Sequence, residues 1–508
     1  MAAKLAAVLR LESFTLMNRS EFSQPIRSKS YWFKQFCAPL LSGLLIAVVT
    51  LGLTSCAQNL YKFPQYTFAN RPIPPSLLAT RVMVSVSFNG SQGSLAILDA
   101  NRDIRSNVQN TIKTFAISGF SAGYPNQIFN FPEQTRGYVY SDSDASLTII
   151  DYGKEATAGA AGTFVPKSTQ VALSETFTRT FAALQNLSEI AVVDNLTGLN
   201  YYLNLPNVNT ISVNQGGTVV LATVRNSNSL YRVLKLNTNA PTPPGAIDCR
   251  PLNLPVYCVV PVPGTYDRPI GAYFSLDGTT AYVLNCGPEC GGITSSVSYL
   301  QQGILTLDVI PTSTTYPSPV TANVPVPGGV TVAVADGSNL YVAGQQLQPD
   351  GLFAGNLTTI SLANNAVTGK YSISDGNHSK LLFADDNTLW IGSQFCATGE
   401  RHATPGRNYN CLTRFDLGTK VASIVPAVTP GSATATVPFP NTDNNPYYYG
   451  SLTGLCWVQN KNKVYTAYGG QIHAFRTADG SEIDNTNIIV QGTALDVAYM
   501  DAITNAAN

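Results

Sequence analysis

The stretch that most limits what this chain can fold into runs from Arg268 to Asn285, RPIGAYFSLDGTTAYVLN. It reads as an apolar-rich strand over 272–275, a turn at Asp277-Gly278 and a return strand over 281–285. Glycine accepts positive φ and aspartate bonds back to nearby backbone, so the pair marks a tight reversal. Aromatic and β-branched residues on either side suit a pleated surface. Weaker copies of this hairpin recur over 127–140, 169–184, 210–224, 329–343, 379–392 and 452–467. Each is followed by a further short strand, at 146–151, 189–194, 230–236, 357–362, 412–416 and 471–475. After 268–285 the run 303–308 is the expected third strand. No long helical period interrupts the series.

One hairpin is split between the chain ends. Residues 494–500 read as a first strand with no partner after them, and 81–87 with 94–99 read as the strands that should follow. Joining the ends completes a sheet and removes two open edges. A chain of 508 residues rarely forms one sheet stack unless it is built from repeats. Seven internal units and one shared unit therefore predict an all-β fold, a β-propeller of eight blades closed by pairing N- and C-terminal strands. Seven blades is the alternative, reached if 169–194 or 210–236 is not a unit.

The best unit resembles the YVTN β-propeller repeat, with Pro269, Phe274, Ser275, Asp277, Gly278, Tyr282, Val283 and Asn285 at signature positions and Leu284 where the repeat has Thr. The resemblance is specific for this unit and extends in outline over 80–504. It implies a surface or periplasmic protein and, being a likeness of fold, implies no chemistry.

Residues 38–54, APLLSGLLIAVVTLGLT, are uncharged and follow Arg27, Lys29 and Lys34, the layout of a secretory signal. The run ends in Leu53-Thr54-Ser55-Cys56, which resembles the lipobox of bacterial lipoproteins; the resemblance implies lipidation at Cys56. An uncut membrane anchor is the other reading, although 17 residues is the low edge for a span. Met17 is an alternative start. Ala57 stands where Asp implies inner-membrane retention in that family, so the resemblance favours the outer membrane, at its periplasmic face or the cell surface. The expected layout is a signal peptide over 1–55, the lipidated Cys and a Pro-rich tether over 56–79, and a single propeller over 80–508. The tether is either extended, at most ~70 Å at about 3.1 Å per residue, or packed on the body through Tyr61, Phe63, Tyr66 and Phe68.

Residues 1–55 hold six Lys/Arg and two acids, which leaves 24 basic and 28 acidic groups beyond them. That balance offers no electrostatic footprint for nucleic acid. Apart from Cys37 in the leader and Cys56, seven cysteines remain. Export implies an oxidising compartment, and proximity suggests the pairs Cys249–Cys258, Cys286–Cys290 and Cys396–Cys411, although sequence alone does not fix connectivity. Cys286 and Cys290 have ligand-like spacing, but a structural zinc needs four ligands. Cys456, in an apolar first strand, reads as a buried free thiol.

The three histidines are His378, His402 and His473. His378 reads as a solvated turn residue near the channel mouth, His402 as part of a polar insertion and His473 as a strand residue. Nothing resembles a nucleophile elbow or a phosphate-cradling loop. Only Trp390 and Trp457 follow the leader, against the repeated Trp docking motif of quinoprotein propellers. Insertions at 237–267, 286–302 and 426–450 point instead to recognition, because binding is usually placed on loops of a rigid scaffold. The expectation is a lipid-anchored, non-catalytic scaffold in the cell envelope, with no metal or cofactor and with a protein or glycan partner. The alternative is a propeller enzyme or cofactor carrier, lactonase-like or haem d1-like, acting on an exported substrate.

Overall fold

The computed structural model describes residues 72–107, 113–131, 135–158, 163–164, 167–168, 170–237, 239, 241–251, 253–308, 316–396, 410–426, 449–483 and 488–503. The leader, Cys56 and the tether as far as residue 71 lie outside the described residues. The chain divides into two compact units, 1–67 and 68–508, and the described residues belong to the second.

Eight small antiparallel sheets form a ring, an eight-bladed β-propeller. Blade 1 is Thr493–Tyr499, Arg81–Phe88 and Gln92–Asp99. Blades 2 to 8 begin with Pro125–Asn130, Gln170–Leu173, Val208–Val213, Pro269–Phe274, Val332–Ala335, Asn377–Ala384 and Leu452–Val458. These first strands lie innermost, most of them against the first strand of the next blade.

The ring closes as the sequence predicts. Thr493–Tyr499 pairs antiparallel with Arg81–Phe88, placing Val82 opposite Tyr499 and Val84 opposite Val497. The period-two alternation of a strand then does the packing. Val82, Val84 and Val86 face Tyr465, Ala467 and Ile472 of blade 8, whereas Met83, Leu95 and Ile97 face Val139 and Ile150 of blade 2. Each blade is thus a partition between two apolar interfaces, and a one-residue slip would invert both.

A polar seam locks the closure. Arg81 donates from Nη2 to Asp501 Oδ1 (2.7 Å) and from Nη1 to Glu155 Oε1 (3.0 Å) and the Tyr152 carbonyl (2.6 Å). The Arg81, Glu155 and Asp501 side chains are 4%, 5% and 8% exposed. Ser76 donates to the same Glu155 through its backbone N (2.9 Å) and Oγ (2.6 Å), so residues of the predicted tether seat on the body. A second tie joins blades 8 and 1, where Lys463 Nζ meets Asp103 at 2.8 Å and the Tyr465 hydroxyl donates to the same carboxylate.

Because neighbouring strands run antiparallel, the turns from first to second strand and from third to fourth emerge on one rim, here the hairpin rim. All connections from second to third strand, and from one blade to the next, emerge on the opposite, connector rim.

Three expectations need correction. The third strand of blade 5 is Ser296–Gln301, within the segment read as an insertion; 302–305 form a short helix, and Thr306 bridges to Val219 of blade 4. The alternation in SVSYLQ is half polar, which hid it. The proline-rich 237–267 carries sheet too: Asp248–Arg250 and Val256–Pro261 are the outer strands of blade 4, with Pro251, Pro255 and Pro261 kept to strand ends, where a missing N–H is tolerated. His378 is not solvated. It is 2% exposed in the first strand of blade 7.

Candidate functional site

At the inner edge of the ring one carboxylate joins three blades. Asp496 of blade 1 accepts from Lys380 Nζ of blade 7 at 3.2 Å and from the Ile128 backbone N of blade 2 at 2.9 Å. Lys380 reaches past the first strand of blade 8, and Gly454 makes the passage. A Cβ at 454 would lie 2.8 Å from Asp496 Oδ1 and 2.7 Å from the Val497 backbone N. Lys380 is 33% exposed and Asp496 5%, so the charged groups that meet here neutralise each other. Asp496→Ala leaves an ammonium and a backbone N–H without their acceptor; urea unfolding should show a loss of about 2 kcal/mol, the usual penalty for orphaned partners.

Beside Lys380, His378 Nε2 donates to the Ser374 carbonyl at 2.7 Å. Burial pushes the imidazole down to about 4, so it is neutral, and Nδ1 has no hydrogen-bond partner among the described residues. Around it the Ser374, Ser393 and Thr413 hydroxyls bond to one another and to the carbonyls of Asp375 and Cys411. This network fastens the approach to blade 7, a structural task.

The connector rim carries the features that set this propeller apart. In blade 5 the Cys286–Cys290 bridge closes a single 3₁₀ turn, Gly287–Cys290. Its Glu289 is inserted against blade 6, where Oε2 accepts from the Gln345 backbone N at 3.0 Å. Gly329 leaves room for it: a Cβ there would lie 1.9 Å from Glu289 Oε2. Burial pushes this carboxyl up to about 7, opposed by the Gln345 bond.

Between blades 7 and 8 the rim holds the ends of two long insertions. Residues 397–409 and 427–448 lie outside the described residues, but the residues that flank them are fixed. Cys396 and Cys411 are bridged. Asn410, fully buried, donates from Nδ2 to the Pro426 carbonyl (3.0 Å) and accepts from the Tyr449 backbone N (3.4 Å). The Tyr468 hydroxyl accepts from Cys411 N (2.6 Å) and donates to the Val425 carbonyl (3.3 Å). One amide and one phenol therefore staple three chain ends. Asn410→Ala should cost about 1–2 kcal/mol in chemical denaturation, a typical effect of unpairing buried polar groups.

Against this root stands His473. Its Nδ1 lies 2.7 Å from Glu482 Oε1, Glu482 Oε2 accepts from the Tyr449 hydroxyl, and the Tyr449 ring stacks on the imidazole with centroids 4.3 Å apart. Burial and the Glu482 carboxylate push the Tyr449 phenol up, so it stays a donor. The strand assignment of His473 holds; what the sequence does not show is the carboxylate nine residues on that orients it.

Of the remaining predicted residues, Cys249 and Cys258 are bridged and face each other across the outer strands of blade 4. Cys456 is a buried free thiol, pushed up by desolvation, and Cys56 lies outside the described residues. Among the described residues no group of three or more His, Cys, Asp or Glu is placed to hold a metal ion.

The fold and the rim define an eight-bladed β-propeller with disulfide-braced insertions. Neither a family model nor a curated protein matches the sequence. Solved structures similar to it include the dihydro-haem d1 dehydrogenase NirN in complex with DHE, at 13% identity over 87% of this chain and 83% of that one, with a TM-score of 0.48. AztD from Citrobacter koseri in its apo form is similar at 11% identity over 83% and 97%, with a TM-score of 0.43. The C-terminal WD40 domain of Sif2 is similar at 9% identity over 77% and 91%, with a TM-score of 0.48. Likenesses at this level carry no functional argument.

Proposed function

We propose that this chain is an exported, lipid-anchored β-propeller that serves as a non-catalytic binding scaffold in the bacterial cell envelope, offering its connector rim to a protein or glycan partner. The observation that carries the reading is the root between blades 7 and 8, where a disulfide, Asn410 and Tyr468 brace the ends of both long insertions on one rim. Rigid roots under variable loops are how scaffolds position binding residues. The three disulfides suit an oxidising compartment, and the lipobox-like Leu53–Cys56 supports the anchor. Labelled palmitate should enter the wild-type protein and not Cys56→Ser; equal labelling of both would remove the anchor from this reading. Pull-down from solubilised envelope should recover a partner that is lost when 427–448 are replaced by a Gly/Ser linker. Recovery unchanged by the replacement would refute the role given to this rim. The second reading, a propeller enzyme, is favoured by the Glu482-held imidazole of His473; turnover of an exported substrate abolished by His473→Gln would establish it instead.

A further inference from the structure

We propose that the propeller is hung from the bilayer by its hairpin rim, so that this rim faces the lipid surface and the braced insertions face away from it. The proposal rests on the lipid-anchor reading and adds an orientation to it. The segment 72–80 reaches the body at the hairpin rim, and its Leu78 is buried in the core between blades 1 and 2. Ser76 is held by Glu155, in the turn after the third strand of blade 2, and Arg81 begins the second strand of blade 1 between Glu155 and Asp501. Pro72 lies against Gly153 of the same turn: a Cβ on Gly153 would be 3.7 Å from the proline ring. The direction of the strands puts all of these on the rim opposite Cys286–Cys290 and Cys396–Cys411. Ile73 and Leu77, on the joining segment itself, are 63% and 64% exposed, apolar surface that an adjoining bilayer interface would cover. The rim's turns also carry Asp277, Asp336, Asp416 and Asp479, all held below the usual carboxylate range, the first chiefly by the Ser275 hydroxyl and the last two by hydrogen bonds within their own turns. Charged carboxylates repel anionic headgroups, so they limit how closely this rim approaches the surface and do not themselves orient it.

Strands of six to eight residues separate the rims by about 20–25 Å at ~3.3 Å per residue, within reach of energy-transfer measurements. The test uses the full chain, made with its own leader, on vesicles of phosphatidylethanolamine and phosphatidylglycerol containing a headgroup-labelled acceptor lipid. Donor dye goes on Lys461→Cys or Lys154→Cys on the hairpin rim, and on Ser91→Cys or Leu187→Cys on the connector rim. All four side chains are exposed, so a poorly folding variant has a substitute on the same rim. Transfer at least twofold stronger from the hairpin rim is the expected result. Equal or reversed transfer from vesicle-bound, lipidated protein overturns the orientation and leaves the anchor standing. Protein that carries no lipid and stays off the vesicles overturns both.

Discussion

Arg81→Met is expected to lower the free energy of unfolding by about 3–5 kcal/mol, because removing one partner of a buried ion pair strands the other charges in low dielectric. Here two carboxylates lose their cation at once, Glu155 and Asp501, both almost fully buried. They come from blade 2 and from the residues after the closing strand, so the damage falls where the ring is joined. Denaturation in urea reads the loss. The triple variant Arg81→Met, Glu155→Gln, Asp501→Asn should recover much of it, since its buried groups are neutral. A single variant as stable as the wild type would mean that the seam is not what holds the ends together.

Glu289→Gln should stabilise the protein, and only where Glu289 is charged. The folded-state carboxyl is pushed from 4.5 to about 7 by burial. A carboxyl raised in this way favours folding fully below its unfolded value, and the advantage is lost as pH rises through the folded one. Across pH 4.5 to 7 the wild type therefore loses about 3 kcal/mol that an amide does not, since each tenfold change in proton affinity is worth about 1.4 kcal/mol. The two proteins should be similar near pH 4.5 and well separated at pH 8 in chemical denaturation. Parallel profiles over that range would place Glu289 in water rather than between blades 5 and 6.

The blades were legible because their first hairpins are written locally. Asp277-Gly278 and Asp336-Gly337 satisfy turn chemistry within four residues, and both glycines take positive φ. Fourth strands were not legible. Ala366–Ser372 is mostly exposed, with no buried position on either face, so neither face carries an apolar series to read. The split blade could be seen because an unpartnered strand at each end is itself a signal. What escaped the sequence was every contact set by the curvature of the ring. Arg81 meets Asp501 across 420 positions, and Lys380 meets Asp496 across 116, over the top of another blade. No spacing encodes such pairs; they follow only once eight sheets have been wrapped to a common axis. Glu289 was hidden differently, inside a glycine-rich stretch whose composition suggested solvent, while the bridge between Cys286 and Cys290 turns it against its neighbour.

The innermost strand of blade 1 is also the last of the described strands to leave the ribosome. Until Thr493–Tyr499 arrives, its partner Arg81–Phe88, made some four hundred residues earlier, has nothing on its axial side. Contacts so distant along the chain form slowly, since most of the loop entropy is lost before they can compensate it. A nascent chain of this kind stays an unlatched arc until those residues are made, and a stop codon ahead of Thr493 would release seven blades and part of an eighth but no closed ring.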